Sequence, residues 1–132
     1  MDNGPLISVT VALTEHFKAR YRDFPNPSRK KISAFIAHVR VHGFDGLEGR
    51  NKFSDDVSRD DADFVAKVQY VRLHCLWHYH VGIHIYDPEN TTHGDRTSMF
   101  VLHYKRDEPT KITIADLSPH PPFKLPTLEM FT

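Results

Sequence analysis

The 132-residue sequence has a single cysteine, Cys75, no net charge and no long apolar run. One cysteine excludes a disulfide framework and a cysteine-based zinc site, and it suits a reducing cytosol. No apolar run approaches the roughly 20 residues of a membrane-spanning helix. The N-terminal residues 2–5 lack the charged and apolar regions of a signal peptide. We therefore expect a cytoplasmic protein that does not enter a membrane.

The zero net charge arises because 17 Lys and Arg residues balance 17 Asp and Glu residues. This balance excludes a histone-like polycation and an acidic disordered tail. The charges are nevertheless unevenly distributed. Residues 1–52 hold nine basic and five acidic residues, whereas residues 53–66 hold one basic and five acidic residues. The basic block indicates either a solvated helix surface or a surface that binds anions.

The length and the apolar content fit one domain, which we draw over residues 1–132. Alternating apolar residues predict a first strand over 6–12. A short helix capped by Thr14 should follow, and Ser28 should cap a second helix over 29–42. These two helices are expected to form a hairpin.

The second half of the chain predicts strands. The glycine-rich segment 43–57 indicates an ordered loop. The segment 59–75 fits a helix or a strand, with the helix favoured in its first half. A proline-rich extended tail is expected over 118–132. The three predicted strands cover 76–86, 98–105 and 111–117. The whole order predicts an α+β fold in which the N-terminal strand and a three-stranded antiparallel meander form one twisted sheet with the helices on one face.

Ten histidines are the most unusual feature of the composition. The two-residue period of the strand over 76–86 places His78 and His80 on one face, roughly 6.5–7 Å apart. His120 follows the last strand and should come alongside them if the three strands pair in order. Imidazole has an ordinary pKa of roughly 6.5, so it can act as acid or base at neutral pH. The set His78, His80 and His120 therefore suits cleavage of RNA through attack of its 2′-hydroxyl group.

This reaction also needs cations that bind the phosphate. The sequence offers basic residues in the loop before the histidine strand and around the strand that follows it. The candidate RNA-binding residues are Arg50, Lys52, Arg96, Lys105 and Arg106.

Two other interpretations of the histidines stay open. In the first, they are half-buried sheet residues that hydrogen-bond to their neighbours. In the second, they hold a divalent metal ion through neutral imidazoles, as in small β-barrels. The ligands of such a metal site would be His78, His80, His84 and His103. The metal interpretation suffers from a shortage of strands, because such barrels need more of them.

Several segments of the sequence together carry a resemblance to a known family. In chain order they are VTVALTEHFKARY, RKKISAFIAHVRVHG, GLEGRNKFSD, LWHYHVGI, MFVLHYKRDE and ITIADLSPH. They correspond to a strand, two helices, a loop with an L-x-G pattern before basic residues, and three strands that end at a histidine. This order resembles the RelE/ParE superfamily of toxins from bacterial toxin–antitoxin systems, and the resemblance covers residues 6 to about 123.

The resemblance implies a ribosome-dependent mRNA endoribonuclease that needs no metal and no cofactor. Its partners would be mRNA, the ribosome and a cognate antitoxin that covers the active face. His78 and His80 look like the basic positions of the ribonuclease branch, and His120 looks like its closing histidine. This chain has Met99 where those toxins carry an arginine, with Arg96 just before it. The ParE-like branch instead implies a non-catalytic toxin that docks on gyrase.

Overall fold

A mixed sheet of five strands lies at the centre of residues 8–132, the part of the chain that the computed structural model describes. The strands are β1 (Thr10–Leu13), β2 (Asn51–Phe53), β3 (Leu76–His80), β4 (Phe100–Glu108) and β5 (Lys111–Pro119). They lie side by side in the order β1-β5-β4-β3-β2. β1 runs parallel to β5, and the other neighbours are antiparallel. The predicted α+β class is confirmed, but the sheet has one more strand than the sequence indicated.

Three α-helices accompany the sheet in the described residues: α1 (Glu15–Tyr21), α2 (Asn26–His42) and α3 (Phe64–His74). The predicted cap of α1 is confirmed, because the Thr14 side chain accepts a hydrogen bond from the Phe17 amide at 3.0 Å. α2 begins at Asn26 rather than after Ser28. Pro27 is tolerated in its first turn because the first amides of a helix have no partner within the helix.

The predictions for the first strand and for the loop over 43–57 also need correction. The first strand is β1, which is shorter than the predicted 6–12, and residues 6 and 7 lie outside the described residues. The predicted loop over 43–57 contains β2, which three residues form by pairing with β3. Such a short edge strand has no periodicity of its own, because the pairing partner specifies it.

The prediction of a helix in the segment 59–75 is confirmed, but the helix begins later than predicted and fills the second half of the segment as well as the last part of the first half. α3 covers Phe64–His74, and turns occupy the residues before it. Cys75 follows the last residue of the helix, and its backbone adopts a left-handed conformation with φ of 52°. Left-handed residues commonly end helices.

The predicted strand over 76–86 is wrong beyond His80, where β3 ends. Gly82 has a φ of +85°, a conformation that glycine adopts without strain and that lies outside the β region of regular strands. The Gly82 amide donates to the Ser98 side chain at 3.0 Å. Tyr86 then folds back, and its hydroxyl donates to the carbonyl oxygen of His80 at 2.9 Å. The two later strands are longer than predicted at their C-terminal ends.

One face of the sheet packs against α2 and forms the main apolar core. The ring of Phe35 in α2 stacks on Tyr79 of β3 with 4.7 Å between ring centroids. Tyr104 of β4 lies beside them and is fully buried. Buried members of this core are Phe17, Ile32, Phe35, Val39, Tyr79, Leu102, Tyr104, Ile112 and Ile114.

The other face of the sheet carries histidines and is covered by α3 and the C-terminal segment. The ring of Phe123 lies 4.7 Å from the ring of His78. Tyr70 in α3 donates to the carbonyl oxygen of Pro126 at 2.7 Å, which joins the helix to that segment. The predicted arrangement placed the helix pair on one face and did not include a helix on this one. The expected tail over 118–132 is only partly irregular, because its first residues belong to β5 and Leu128–Phe131 form a 3₁₀ turn.

None of the helices in residues 8–132 combines the length and the apolar composition that crossing a membrane requires.

Replacing Phe35 by alanine should lower the free energy of unfolding by about 3–5 kcal/mol, because the change removes a buried ring and leaves a cavity against Tyr79 and Tyr104. Val65→Ala is the matched control, since Val65 is 64% exposed and its truncation should change stability by under about 0.5 kcal/mol. Urea unfolding followed by circular dichroism measures both. Equal losses in the two variants would contradict this assignment of the core.

Candidate active site: a histidine cluster

His78, His80 and His120 come together on the covered face of the sheet, and we call them the histidine cluster. Each offers a ring nitrogen, and these three nitrogens lie within 4.8 Å of one another. The ring centroids are 6.1 Å apart for His78 and His80, 5.9 Å for His78 and His120, and 5.6 Å for His80 and His120. The structure thus brings together the three residues that the sequence singled out for acid–base chemistry.

Strand pairing explains this convergence. His78 and His80 lie two residues apart in β3 and therefore face the same side. The β4 strand separates β3 from β5, and His120 follows directly after the end of β5. The His120 amide donates to the carbonyl oxygen of Met99 at 2.7 Å, which fixes the chain next to the start of β4. His80 pairs with Val101 at that same end of β4.

The other two histidines of the predicted metal site behave differently. His103 lies opposite His78 on β4, with 6.3 Å between the rings, and its Nε2 atom is 2.7 Å from the Ser118 hydroxyl. His84 is exposed in the segment after β3, where its ring packs edge-on against Phe100. Because β3 ends before His84, the predicted set of His78, His80, His84 and His103 does not converge.

Two serines hold the rings of β3. The Ser54 hydroxyl, which is fully buried, lies 2.8 Å from Nδ1 of His78. Nδ1 of His80 lies 3.0 Å from both the amide nitrogen and the carbonyl oxygen of Ser98. These contacts fix the ring orientations and leave the Nε2 atoms of His78 and His80 for a substrate or ligand. Nδ1 of His120 is buried and has no hydrogen-bond partner in residues 8–132.

Phe123 covers the cluster from the C-terminal segment. Its ring centroid lies 4.7 Å from that of His78, 5.4 Å from that of His103 and 5.0 Å from that of His120. This apolar cover removes water from the imidazoles. Removal of water disfavours the protonated form of a histidine.

Burial lowers the pKa of all three cluster histidines. It brings the pKa of His78 to about 3, with a further lowering by the nearby imidazole of His103. Burial also holds the pKa of His80 and the pKa of His120 below the ordinary value of 6.5. The three rings are therefore neutral at neutral pH, which is the form that accepts a proton.

Two cations lie at the edge of the cluster. Lys52 in β2 pairs directly with His78 across the sheet, and its ammonium group is 2.8 Å from the carboxylate of Asp56. Arg50 accepts a hydrogen bond on its carbonyl oxygen from the His80 amide at 2.9 Å. Its guanidinium contacts both carboxylate oxygens of Asp95, at 2.7 and 3.2 Å. Both predicted phosphate-binding residues of the first loop thus flank the imidazoles.

Gly49 brings this loop against the end of β3. A Cβ atom at this position would lie 1.9 Å from the carbonyl oxygen of His80 and 2.7 Å from the Tyr86 hydroxyl. The Gly49 amide also donates to the Tyr79 hydroxyl at 3.0 Å. Only glycine permits so close an approach of two backbones.

The remaining predicted cations lie elsewhere. Arg96 forms an ion pair with Glu48 and places its guanidinium over the ring of Tyr86. Lys105 is on the histidine face, but its ammonium group pairs with Asp107 at 3.2 Å. Arg106 is on the opposite face, where it lies over the rings of Phe44 and Trp77. The structure does not bring these three side chains to the cluster.

Two cavities meet at His120. The larger one, about 750 Å³, also borders Asp56, Tyr70 and Phe123. The smaller one, about 520 Å³, borders Arg50, His80 and His120. Both volumes lie within the roughly 300–1,000 Å³ of typical small-ligand sites. Through these cavities a ligand of the size of a nucleotide can reach His120 and the edge of His80, whereas His78 is buried and borders neither cavity.

Four residues of this site escaped the sequence analysis: Ser54, Ser98, Asp56 and Phe123. The two serines contact histidines that are distant in sequence, so no local pattern marks them. Asp56 belongs to an acidic run that also fits a solvated surface. Of these four residues, only Phe123 could have been noticed in the sequence, because an aromatic residue among prolines is expected to pack against an apolar partner.

Comparison with models of protein families, with curated proteins and with solved structures found no match for this chain. The geometry alone defines the site: three imidazoles flanked by two cations on the covered face of an α+β sheet.

The buried histidine beside the cluster should make the protein sensitive to acid. Burial lowers the pKa of His103 to about 4, whereas the unfolded chain binds a proton near pH 6.5. The free energy of unfolding should be highest above about pH 6.5 and fall as the pH decreases, with a loss from this group on the order of 3 kcal/mol at about pH 4.

Urea unfolding near pH 7 and near pH 4 measures this loss. His103→Gln should lose less stability than the natural chain between the two pH values, because glutamine does not bind the proton. His84→Gln, at an exposed histidine, should lose as much as the natural chain. A pH dependence that is unchanged in His103→Gln would contradict the assignment.

Proposed function

We propose that this protein is an endoribonuclease that cleaves RNA at the histidine cluster without a metal ion, and that it acts as the toxin of a RelE-like toxin–antitoxin pair. The observation that carries the proposal is the convergence of three imidazole nitrogens within 4.8 Å of one another beside Arg50 and Lys52.

The reaction that suits this arrangement is an internal transfer at the phosphodiester. One neutral imidazole accepts the proton of the RNA 2′-hydroxyl while the 2′-oxygen forms a bond to phosphorus. The bond from phosphorus to the 5′-oxygen breaks, and a protonated imidazole donates a proton to that oxygen. The products are a 2′,3′-cyclic phosphate and a free 5′-hydroxyl, so no water or cofactor is consumed. General acid–base catalysis of this kind contributes about 10²–10⁴-fold to a rate.

The lowered pKa of each cluster histidine keeps the ring neutral, as a proton acceptor must be, but also makes it a weak base, so the acceptor and the donor both depend on the bound substrate. A neutral ring is ready to take the proton of the 2′-hydroxyl. A bound phosphodiester places a negative charge beside the rings, which raises the pKa of the nearest imidazole and favours its protonated form. His120 is the ring best placed for contact with RNA, because it is half-buried and borders both cavities.

Arg50 and Lys52 supply the positive charge near the phosphate. Their present partners, Asp95 and Asp56, are partly or fully exposed, so these ion pairs contribute little stability and can be exchanged for contacts to RNA. The chain has no net charge, and its affinity for RNA therefore depends on these local cations.

The toxin assignment draws on the resemblance to the RelE/ParE superfamily. The order of β1, α1, α2 and the strands β3, β4 and β5 supports it, as do the basic residues after the L-x-G pattern at Leu47–Gly49. The substrate would then be mRNA on the ribosome, and a cognate antitoxin would cover the histidine face. β2 and α3 are additions to the arrangement that the resemblance implies.

His120→Ala and His80→Ala should relieve the growth arrest that follows induced expression and should slow RNA cleavage in a translation extract by about 10²–10⁴-fold. His84→Ala is the control and should remain toxic, because this exposed ring lies outside the cluster. The thermal midpoint of His120→Ala should stay close to that of the natural chain, since His120 is only half-buried. Equal toxicity of all three variants would overturn catalysis by the cluster, and loss of DNA supercoiling without RNA cleavage would favour the gyrase-directed alternative.

Arg50→Ala should weaken RNA binding and should reduce the slope of the logarithm of affinity against the logarithm of salt concentration by about 0.7–1, because one phosphate contact is lost. Arg106→Ala, on the opposite face of the sheet, is the matched control and should leave the slope unchanged. Fluorescence anisotropy with a short single-stranded RNA at several salt concentrations measures both. The reverse ranking of the two variants would place the RNA on the other face.

A further inference from the structure

We propose that the histidine cluster also binds one divalent transition-metal ion of the zinc class through His78, His80 and His120, and that the bound metal inhibits the protein. The binding stands on the geometry of the cluster alone, whereas the inhibition rests on the proposed function.

The three nitrogens are already close to the positions of metal ligands. They lie within 4.8 Å of one another, and a tetrahedral zinc ion with nitrogen ligands at about 2.0–2.1 Å requires separations of about 3.4 Å. The required approach is small. His120 can supply it, because this residue follows the end of β5 and begins a segment without regular secondary structure.

The groups behind the rings match those that support metal ligands. A histidine that binds a metal through one nitrogen usually holds its other nitrogen in a hydrogen bond to the protein. His78 has this arrangement with the Ser54 hydroxyl at 2.8 Å, and His80 has it with the backbone of Ser98 at 3.0 Å. Both hydrogen bonds involve Nδ1, so both rings offer Nε2.

His120 provides the independent sign of a missing partner. Its Nδ1 atom is buried and has no hydrogen-bond partner in the described residues. Buried polar atoms nearly always have partners, and an exception calls for a specific explanation such as an ion. A cation at the cluster would provide the His120 ring with a partner that no side chain in residues 8–132 provides.

The ligand set selects the class of metal. Three imidazoles and no carboxylate suit zinc, copper or nickel ions, and they do not suit magnesium or calcium ions, which prefer oxygen. Three protein ligands leave the fourth position of a tetrahedral ion for water. A metal ion held in this way occupies the same nitrogen lone pairs that the proposed cleavage reaction needs, so metal binding and RNA cleavage exclude each other.

Metal binding is tested on the purified full chain after treatment with a chelator. We expect calorimetry with zinc chloride to give one ion per chain, and cobalt chloride to give the visible absorption of a tetrahedral site. His120→Gln should bind zinc at least 10-fold more weakly, as should His80→Gln. His84→Gln should bind like the natural chain, which separates the cluster from the set that the sequence suggested. Binding that is unaffected by His120→Gln but lost in His84→Gln, or no binding in the micromolar range, would overturn the proposal.

A thermal measurement guards against variants that fail to fold. Zinc should raise the unfolding midpoint of the natural chain and of His84→Gln, because a ligand that binds only the folded state stabilises it. At the same zinc concentration it should raise the midpoint of His120→Gln by clearly less, while magnesium chloride should have no effect on any of them. A zinc-dependent rise of equal size in His120→Gln would contradict the assigned ligands.

Inhibition is tested separately, with RNA cleavage as the readout. We expect cleavage to continue in EDTA and to fall at least 10-fold when zinc saturates the site. Loss of cleavage in EDTA with recovery on adding zinc would overturn the inhibitory role. Zinc binding without RNA cleavage under any condition would leave the metal site standing and would defeat the proposed function alone. RNA cleavage without zinc binding would leave the proposed function standing and would overturn the metal site alone.

Discussion

The burial of imidazoles on one face of the sheet is the constraint on which the rest of the structure depends. A buried polar ring needs a hydrogen-bond partner, because leaving it unpaired costs about 1–3 kcal/mol. Ser54, Ser98 and Ser118 meet this need for the rings of β3 and β4. Phe123 then closes the face against water. The two faces of the sheet are thus buried in different ways. The face beneath α2 is apolar, and the face beneath the C-terminal segment carries imidazoles.

The same burial determines the chemistry of the candidate site. A neutral imidazole has a free nitrogen lone pair, which can take a proton from a substrate or bind a transition metal, and the two uses compete for it. Arg50 and Lys52 remain at the rim, where each is paired with a carboxylate. The charged groups therefore lie at the edge of the cluster, while the imidazoles at its centre are neutral.

Local patterns predicted those parts of the fold that local physics determines. The period of two in β3 placed His78 and His80 on one face, and the order of the later strands brought His120 to them. The side-chain cap at Thr14 was likewise visible in sequence, because capping involves residues within one turn. The α+β class followed from the order of such elements.

The parts that sequence could not predict depend on distant partners. β2 exists because β3 pairs with it, and three residues carry no periodic signal. The end of β3 depends on Gly82 turning the chain towards Ser98, although the residues after it retain a strand-like alternation. The position of α3 on the histidine face depends on the contact between Tyr70 and Pro126, which are 56 residues apart.

The close approach at Gly49 has a consequence for how this centre can change. A backbone contact carries Arg50 next to the imidazoles, while its side chain pairs with Asp95 and not with the cluster. A methyl group at position 49 would wedge the arginine away from the rings while every reactive group remained in the chain. The site is therefore more easily lost through a change in the position of Arg50 relative to the imidazoles than through loss of a functional group. Gly49, which has no side chain, determines that position.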